Sequence, residues 1–110
     1  MTDTKFEKNV TYMLQKVKST LCYKKKEYSN KKDRLQGFKH AATFMRGTPK
    51  QALFAMMAKH LTSISDAIYD DVNLTMMQWD EKITDMINYL LLLRALVLEE
   101  KEVNNDTTSV

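Results

Sequence analysis

Residues 75–98 read TMMQWDEKITDMINYLLLLRALVL, and this stretch decides the fold of the chain. Its apolar side chains recur every three or four positions, the period of a helix with one buried face: Trp79, Ile83, Met86, Ile87, Leu90, Leu93 and Val97. Thr75 and Gln78 match a capping box at its start. More leucines widen the apolar surface beyond what one partner in the same chain covers. We therefore expect a central helix that also mediates homo-oligomerisation.

Three further helices are predicted upstream. The first runs from about Lys5 to about Tyr28, because its apolar positions keep helical spacing. The second spans residues 35–45, with Asp33 as its cap and Gly47 expected in the left-handed conformation at its end. The third begins at Thr48-Pro49, a strong helix start, and ends before the turn-forming residues 70–73.

Composition supports an all-α four-helix bundle in one domain. The 110 residues include only 2 Gly and 1 Pro, which disfavours a sandwich, a barrel or a Gly-loop nucleotide fold. We assign residues 1–102 to a single helical domain and expect residues 103–110, which are polar and unpatterned, to be a disordered tail. The single Cys22, the missing secretory signal and the short apolar run 86–98 predict a cytoplasmic protein with no membrane span.

Charge divides the chain into two halves. Residues 1–50 carry 13 Lys and Arg against 4 Asp and Glu, whereas residues 51–110 carry 4 against 10. One interpretation is simply a bundle with complementary faces. The other is functional, with the basic half meeting phosphates of a nucleotide or nucleic acid and the acidic half holding a divalent cation.

Carboxylates carry the predicted chemistry, because no Gly-rich phosphate loop, HExxH motif or nucleophile elbow occurs. Glu81 and Asp85 lie four apart on one helical face, and Asp66 and Glu27 are further candidates. Such hard oxygen ligands suit Mg²⁺, which needs only one or two carboxylates when water and phosphate complete its shell. For Glu81 a solvated helix face is the competing interpretation, whereas Asp85 is flanked by Ile83, Met86 and Ile87.

A resemblance to a known group follows from three segments: residues 79–90 with their Asp85-x-x-Asn88-Tyr89 element, residues 26–29 and residues 56–60. Over roughly residues 20–98 the chain resembles small phage proteins of the nucleotide-modification-associated and MazG-like group, which is similar to the all-α NTP pyrophosphohydrolases. The resemblance implies an oligomeric helical bundle that binds Mg²⁺ and cleaves nucleotides between the α- and β-phosphates. Ser29 replaces the Gly common in that group, and residues 51–65 contain no acid, so nucleotide binding without turnover is a second expectation.

The resulting site prediction assigns a role to each candidate. Glu81 and Asp85 are the predicted catalytic acids. The predicted metal ligands are Glu27, Asp66, Glu81 and Asp85, and the predicted substrate-binding residues are Lys26, Lys59, Asn88 and Tyr89. His60 lies on an apolar stripe and is interpreted first as a core histidine and second as a general base.

A second function class stays open. Basic residues cluster with tyrosines near the first helix end, a pattern that suits nucleic-acid phosphates and stacked bases or merely a solvated helix end. The cluster is Tyr23, Lys24, Lys25, Lys26, Tyr28, Lys31, Lys32 and Arg34. In this alternative the protein is a non-enzymatic helical module that binds a nucleic acid or a host protein through its basic half.

Overall fold

The computed structural model describes residues 1–24, 33–70 and 72–104. Within these residues the chain forms four α-helices and no β-strand, which confirms the predicted all-helical class and helix number. The helices are α1 (Asp3–Lys18), α2 (Gln36–Met45), α3 (Pro49–Tyr69) and α4 (Met76–Asn104). None of the helices among the described residues has the length and apolar character needed to cross a membrane.

The capping box predicted at the start of α4 is present, and α3, whose start at Thr48 was also predicted, begins with a second one. At α3, Thr48 Oγ1 accepts the Gln51 N–H at 3.2 Å, and Gln51 Oε1 accepts the Thr48 N–H at 2.8 Å. At α4, Thr75 and Gln78 make the same reciprocal pair at 3.1 and 2.9 Å. Each box satisfies backbone donors that the first helical turn leaves without partners.

The first helix departs from the prediction. Regular α-helix ends at Lys18, and a π-helical segment continues from Ser19 to Lys24. The Arg34 guanidinium donates a hydrogen bond to the Leu21 carbonyl, so this carbonyl is bonded from outside its own helix. Side-chain periodicity does not reveal such a change in backbone bonding. The predicted end at Tyr28 lies outside the described residues.

The α2 C-terminus corrects the expectation for Gly47. Arg46, not Gly47, adopts the left-handed conformation, with φ of 56° and ψ of 42°. The Gly47 N–H then bonds the Ala42 carbonyl at 3.0 Å, which is the long closing bond of a Schellman ending. Gly47 is needed for space instead, because a Cβ there would lie 2.5 Å from Gln51 Oε1.

Charged side chains connect the start of α2 to α4. Asp33 Oδ1 accepts the Leu35 N–H at 2.9 Å, so Asp33 caps the turn before α2. Lys39 lies between Asp33 and Glu99 and pairs with both carboxylates. The hydrogen bond from Lys39 lowers the pKa of Asp33, and the bonds to Asp33 and Glu99 raise the pKa of Lys39.

The core lies where α2, α3 and α4 meet. Leu35, Leu53 and Leu96 are its buried centre. Partly buried side chains pack around this centre: Phe38, Tyr89, Leu92, Leu93 and Ala95. Helix α1 contacts α4 on another flank, where the Tyr12 hydroxyl donates to Asp80 at 3.3 Å.

This packing corrects the predicted orientation of α4. The sequence assigned Ile83 and Leu90 to the buried face, but both are exposed. The helix turns the flank of Tyr89, Leu92 and Leu96 toward α2 and α3, and Leu93 is the member of the predicted face that also packs against this core. The helix also continues through Val103 and Asn104, two residues that were assigned to the tail.

Candidate functional site

Helices α3 and α4 run antiparallel and define a groove. Lys50 pairs with Glu100 at 3.1 Å near one end, and Lys82 donates a hydrogen bond to Ser63 Oγ towards the other. Residue numbers therefore rise along α3 as the numbers of their partners fall along α4, which shows that the two helices are antiparallel. The capping boxes at Thr48 and Thr75 fix where each helix starts and hence which side chains face each other across the groove.

A polar pocket of about 450 Å³ opens at the Ser63–Lys82 end of this groove. Most of its lining side chains are polar or charged: Lys59, His60, Ser63, Leu74, Gln78, Glu81, Lys82 and Asp85. Two ammonium groups and two carboxylates therefore share one cavity. Such a pocket can accept phosphate oxygens at the lysines and a cation at the acids.

An apolar pocket of about 300 Å³ adjoins the polar pocket deeper between the helices. Its lining comes from the π-helical segment and α2 as well as the groove helices: Thr20, Leu21, Phe38, Met56, His60, Asp85, Asn88, Tyr89 and Leu92. His60 and Asp85 line both cavities. The two pockets therefore meet at this pair of side chains.

His60 contacts both acidic and aromatic groups at that junction. Its Nδ1 lies 3.6 Å from Asp85 Oδ2, an ion-pair distance when the imidazole is protonated. Its Nε2 lies 3.5 Å from the Tyr89 hydroxyl, and the two rings have centroids 5.1 Å apart. Burial raises the pKa of the Tyr89 phenol, and the nearby Asp85 charge raises it further.

Asn88 lines the apolar pocket and carries a buried polar atom without a described partner. Its Oδ1 accepts no hydrogen bond from the residues that the structure describes. A buried carbonyl oxygen in this state costs about 1–3 kcal/mol unless a donor reaches it. Because Oδ1 is shielded from solvent, the amide must turn towards the cavity before a ligand N–H or O–H group can reach it.

The structure brings together most of the predicted site residues. Glu81, Asp85 and Lys59 line the polar pocket, and Asn88 and Tyr89 line the apolar one. Asp66 does not line the polar pocket; it lies in a neighbouring cleft of about 370 Å³ that Lys59 and Lys82 also line. Lys26 and Glu27 lie outside the described residues.

The predicted metal set is not gathered into one cage. In residues 1–24, 33–70 and 72–104, no three His, Cys, Asp or Glu side chains lie close enough to hold a metal ion together. Glu81 and Asp85 remain neighbours in one pocket. Mg²⁺ needs only one or two protein carboxylates when phosphate and water supply its other ligands, so these two carboxylates are enough.

Sequence reasoning missed Lys82, Ser63 and Gln78. A signal for two of them was present, since Gln78, Glu81, Lys82 and Asp85 form a polar stripe at helical spacing inside an otherwise apolar helix. Ser63 joins them only through the pairing of α3 with α4, which no local pattern specifies.

The basic cluster falls largely outside the described side chains. Arg34 is described, and its guanidinium bonds the Leu21 carbonyl, which gives it a structural contact.

Comparison with protein families, curated proteins and solved structures finds no match for this chain. The relationship to the MazG-like group therefore stays a prediction from the motif residues.

Proposed function

We propose that this protein binds a nucleotide across the two adjoining pockets, with phosphates in the polar pocket and the base in the apolar pocket. The observation that carries the proposal is the shared wall of His60 and Asp85 between a lysine-lined and an aromatic-lined cavity. A nucleotide has this same division between a charged end and a flat, largely apolar end. Cavities of about 300–1,000 Å³ are typical of small-molecule sites.

The phosphate end of the proposal rests on Lys59 and Lys82. Both ammonium groups reach the polar pocket from opposite helices, so they would flank a phosphate chain between them. The hydrogen bond from Lys82 to Ser63 orients the Lys82 ammonium before a ligand arrives. Pre-orientation of a flexible lysine reduces the entropy lost on binding.

Magnesium would bind with the nucleotide through Glu81 and Asp85. These two carboxylates lie one helical turn apart and share the polar pocket with the lysines. Glu81 and Asp85 would hold the Mg²⁺ ion, whose charge would offset the repulsion between the acids and the phosphates. We therefore expect the affinity for a nucleotide to depend on Mg²⁺.

The base would occupy the apolar pocket. Phe38 and Tyr89 offer aromatic surface there, and Leu92 and Met56 complete an apolar lining. With its amide turned towards the pocket, Asn88 would accept a hydrogen bond through Oδ1 from an exocyclic amine or ring N–H. Asn88 is thus the residue through which this site would discriminate between bases.

Hydrolysis is the reaction that the resemblance adds to this proposal. Water would attack the α-phosphorus and pyrophosphate would leave, with Glu81 and Asp85 as the predicted catalytic acids. Among the described residues, Glu81 and Asp85 are the two carboxylates that line the polar pocket, and Asp66 lies in the neighbouring cleft. We accordingly propose Mg²⁺-dependent nucleotide binding as the function. Formation of monophosphate and pyrophosphate is measured in the same experiment.

Calorimetric titration with a panel of NTPs and dNTPs, with and without Mg²⁺, tests the proposal. We expect Lys82→Ala to weaken binding at least about tenfold, because a charged hydrogen bond to phosphate contributes about 1.5–3 kcal/mol. Lys18→Ala, an exposed position on α1, is the matched control and should bind like the parent. Asp85→Asn should abolish the Mg²⁺ dependence, whereas Asp80→Asn, which faces α1, should retain it.

The same samples also test the alternative function. Chromatography of the reaction mixture detects monophosphate and pyrophosphate, and loss of both in Asp85→Asn would assign turnover to this site. The proposal fails if no nucleotide binds in a Mg²⁺-dependent manner. A salt-sensitive shift of DNA or RNA in that case would support a nucleic-acid-binding module instead.

A further inference from the structure

Helix α3 exposes a row of large apolar side chains. Phe54, Leu61 and Ile68 are 62, 52 and 60% exposed and occur every seventh residue. Met57 and Ile64, both half-buried, fall between them, so the row alternates steps of three and four residues. This spacing is the heptad pattern through which helices pack side by side.

Helix α4 has a second row with the same repeat. It consists of Trp79, Ile83, Met86, Leu90, Leu93 and Val97 and alternates steps of four and three residues. Ile83 and Leu90 are 41 and 53% exposed, and the other four are half-buried. All six belong to the face predicted from sequence to be buried. Leu93 does pack against the core, beside Tyr89 and Leu92, whereas Ile83 and Leu90 are exposed.

The two rows lie on one side of the α3–α4 pair. His60 on α3 and Asp85 on α4 face each other across the groove. Viewed along each helix from its N-terminus, the apolar row is rotated clockwise from that residue, and the two helices are antiparallel. Rows displaced in this way project from the same side. None of the eleven side chains lines the polar or the apolar pocket, which open on the other side. We call these eleven residues the heptad face.

The heptad face is large and uncharged. All eleven side chains are apolar, so a phosphate backbone finds no counter-charge on them. Along the helix axes the rows extend about 21 and about 27 Å at 1.5 Å per residue.

We propose that a second copy of this chain packs on the heptad face, so that two α3–α4 pairs form a four-helix layer around a two-fold axis. The same surface serves both subunits in such a dimer, and two matching heptad rows supply the knobs and holes that this packing requires. Because this face is uncharged in both subunits, dimerisation buries no charged side chain without a partner. The sequence predicted an oligomer through α4 alone; the structure adds the α3 row to the same surface.

Sedimentation equilibrium over a concentration series tests the dimer. We expect the parent protein to have about twice its chain mass and the double variant Leu61→Glu/Leu90→Glu to have the chain mass. Both substituted positions are exposed in the single chain, so far-ultraviolet circular dichroism of the variant should remain helical. Phe44→Glu is the matched control, because Phe44 is 88% exposed on α2 outside the heptad face and its variant should stay dimeric.

A milder variant keeps the test decisive if the double variant does not fold. Leu90→Ala should raise the dimer dissociation constant at least about tenfold, as truncation of a central interface side chain does. The single tryptophan, Trp79, lies in the α4 row, so its fluorescence should shift to longer wavelength as the dimer dissociates. A parent protein that is monomeric at every concentration, or a dimer unaffected by Leu90→Ala, would overturn the proposal and leave this face to a different partner.

Discussion

At the scale of a single residue, the pKa of Tyr89 reflects its position at the junction of the two pockets. Burial raises the pKa of its phenol above the ordinary 10.0, and Asp85 raises it further. The neutral phenol is therefore favoured in the folded protein. Its contribution to stability is present below the unfolded pKa and is lost as pH rises through the folded pKa.

We expect Asp85→Asn to lower the pKa of Tyr89 part of the way towards 10.0. Only part of the shift should disappear, because burial is the larger cause and remains. Titration of tyrosinate absorbance, with Tyr89→Phe subtracted to isolate this residue, measures the change. An unchanged pKa of Tyr89 in Asp85→Asn would mean that the carboxylate does not face the ring in solution.

The individual site residues differ in how far sequence could predict them. Asp85 and Asn88-Tyr89 were found from their short motif, and the structure places them along one wall of the groove. His60 was weighed first as a core histidine, yet it contacts both Asp85 and Tyr89 at the shared wall. Helical spacing put His60 on the inner side of α3, but its partners come from another helix, and one sequence does not determine how helices pair.

At the level of the helices, the starts of α3 and α4 were the most predictable feature. Thr48, Thr75 and their glutamines act within a single turn, so their bonds follow from four consecutive residues. The orientation of α4 was not predictable in the same way. That helix is apolar around most of its circumference, so its sequence alone does not decide which flank packs against α3.

The two glycines give a paired prediction at the α2 and α3 termini. Gly47→Ala should lower the free energy of unfolding by about 1 kcal/mol, because its Cβ would displace Gln51 Oε1 and break the capping box. Gly37→Ala should raise it by about 0.5–1 kcal/mol, since Gly37 lies inside α2 with nothing within 4 Å of an added Cβ. Urea unfolding of both variants measures the two changes.

A third variant identifies the cause of the Gly47 effect. If the clash with Gln51 is responsible, Gly47→Ala should cost much less in a Gln51→Ala background, where the capping side chain is already absent. Equal costs in both backgrounds would instead assign the effect to the backbone of the turn. Because neither glycine has a positive φ, the expected difference between them comes from space and not from backbone strain.

At the scale of the whole molecule, the α3–α4 pair has two chemically different sides. One side opens into the two pockets, where Lys59, Lys82, Glu81 and Asp85 supply charge. The other side is the heptad face, whose side chains carry none. The overall charge division of the sequence did not predict this arrangement, because the polar pocket lies within the acidic half and draws its lysines from that half as well.

This division predicts that nucleotide binding and dimerisation are separable. The Leu61→Glu/Leu90→Glu variant changes only heptad-face residues, none of which lines a pocket. Its affinity for nucleotide with Mg²⁺ should therefore remain within about twofold of the parent, since sites with no shared contacts behave almost additively. The reverse should also hold, with Lys82→Ala weakening nucleotide binding while the protein keeps the mass of the parent.

Calorimetry and sedimentation on the same two variants check both directions at once. A monomeric variant that also loses nucleotide affinity would mean that the partner subunit supports the pockets, for instance by holding α3 against α4. Circular dichroism on that sample distinguishes this coupling from a loss of fold. The expected result, in which each variant loses one property and keeps the other, would identify the groove and the heptad face as independent surfaces of one helical pair.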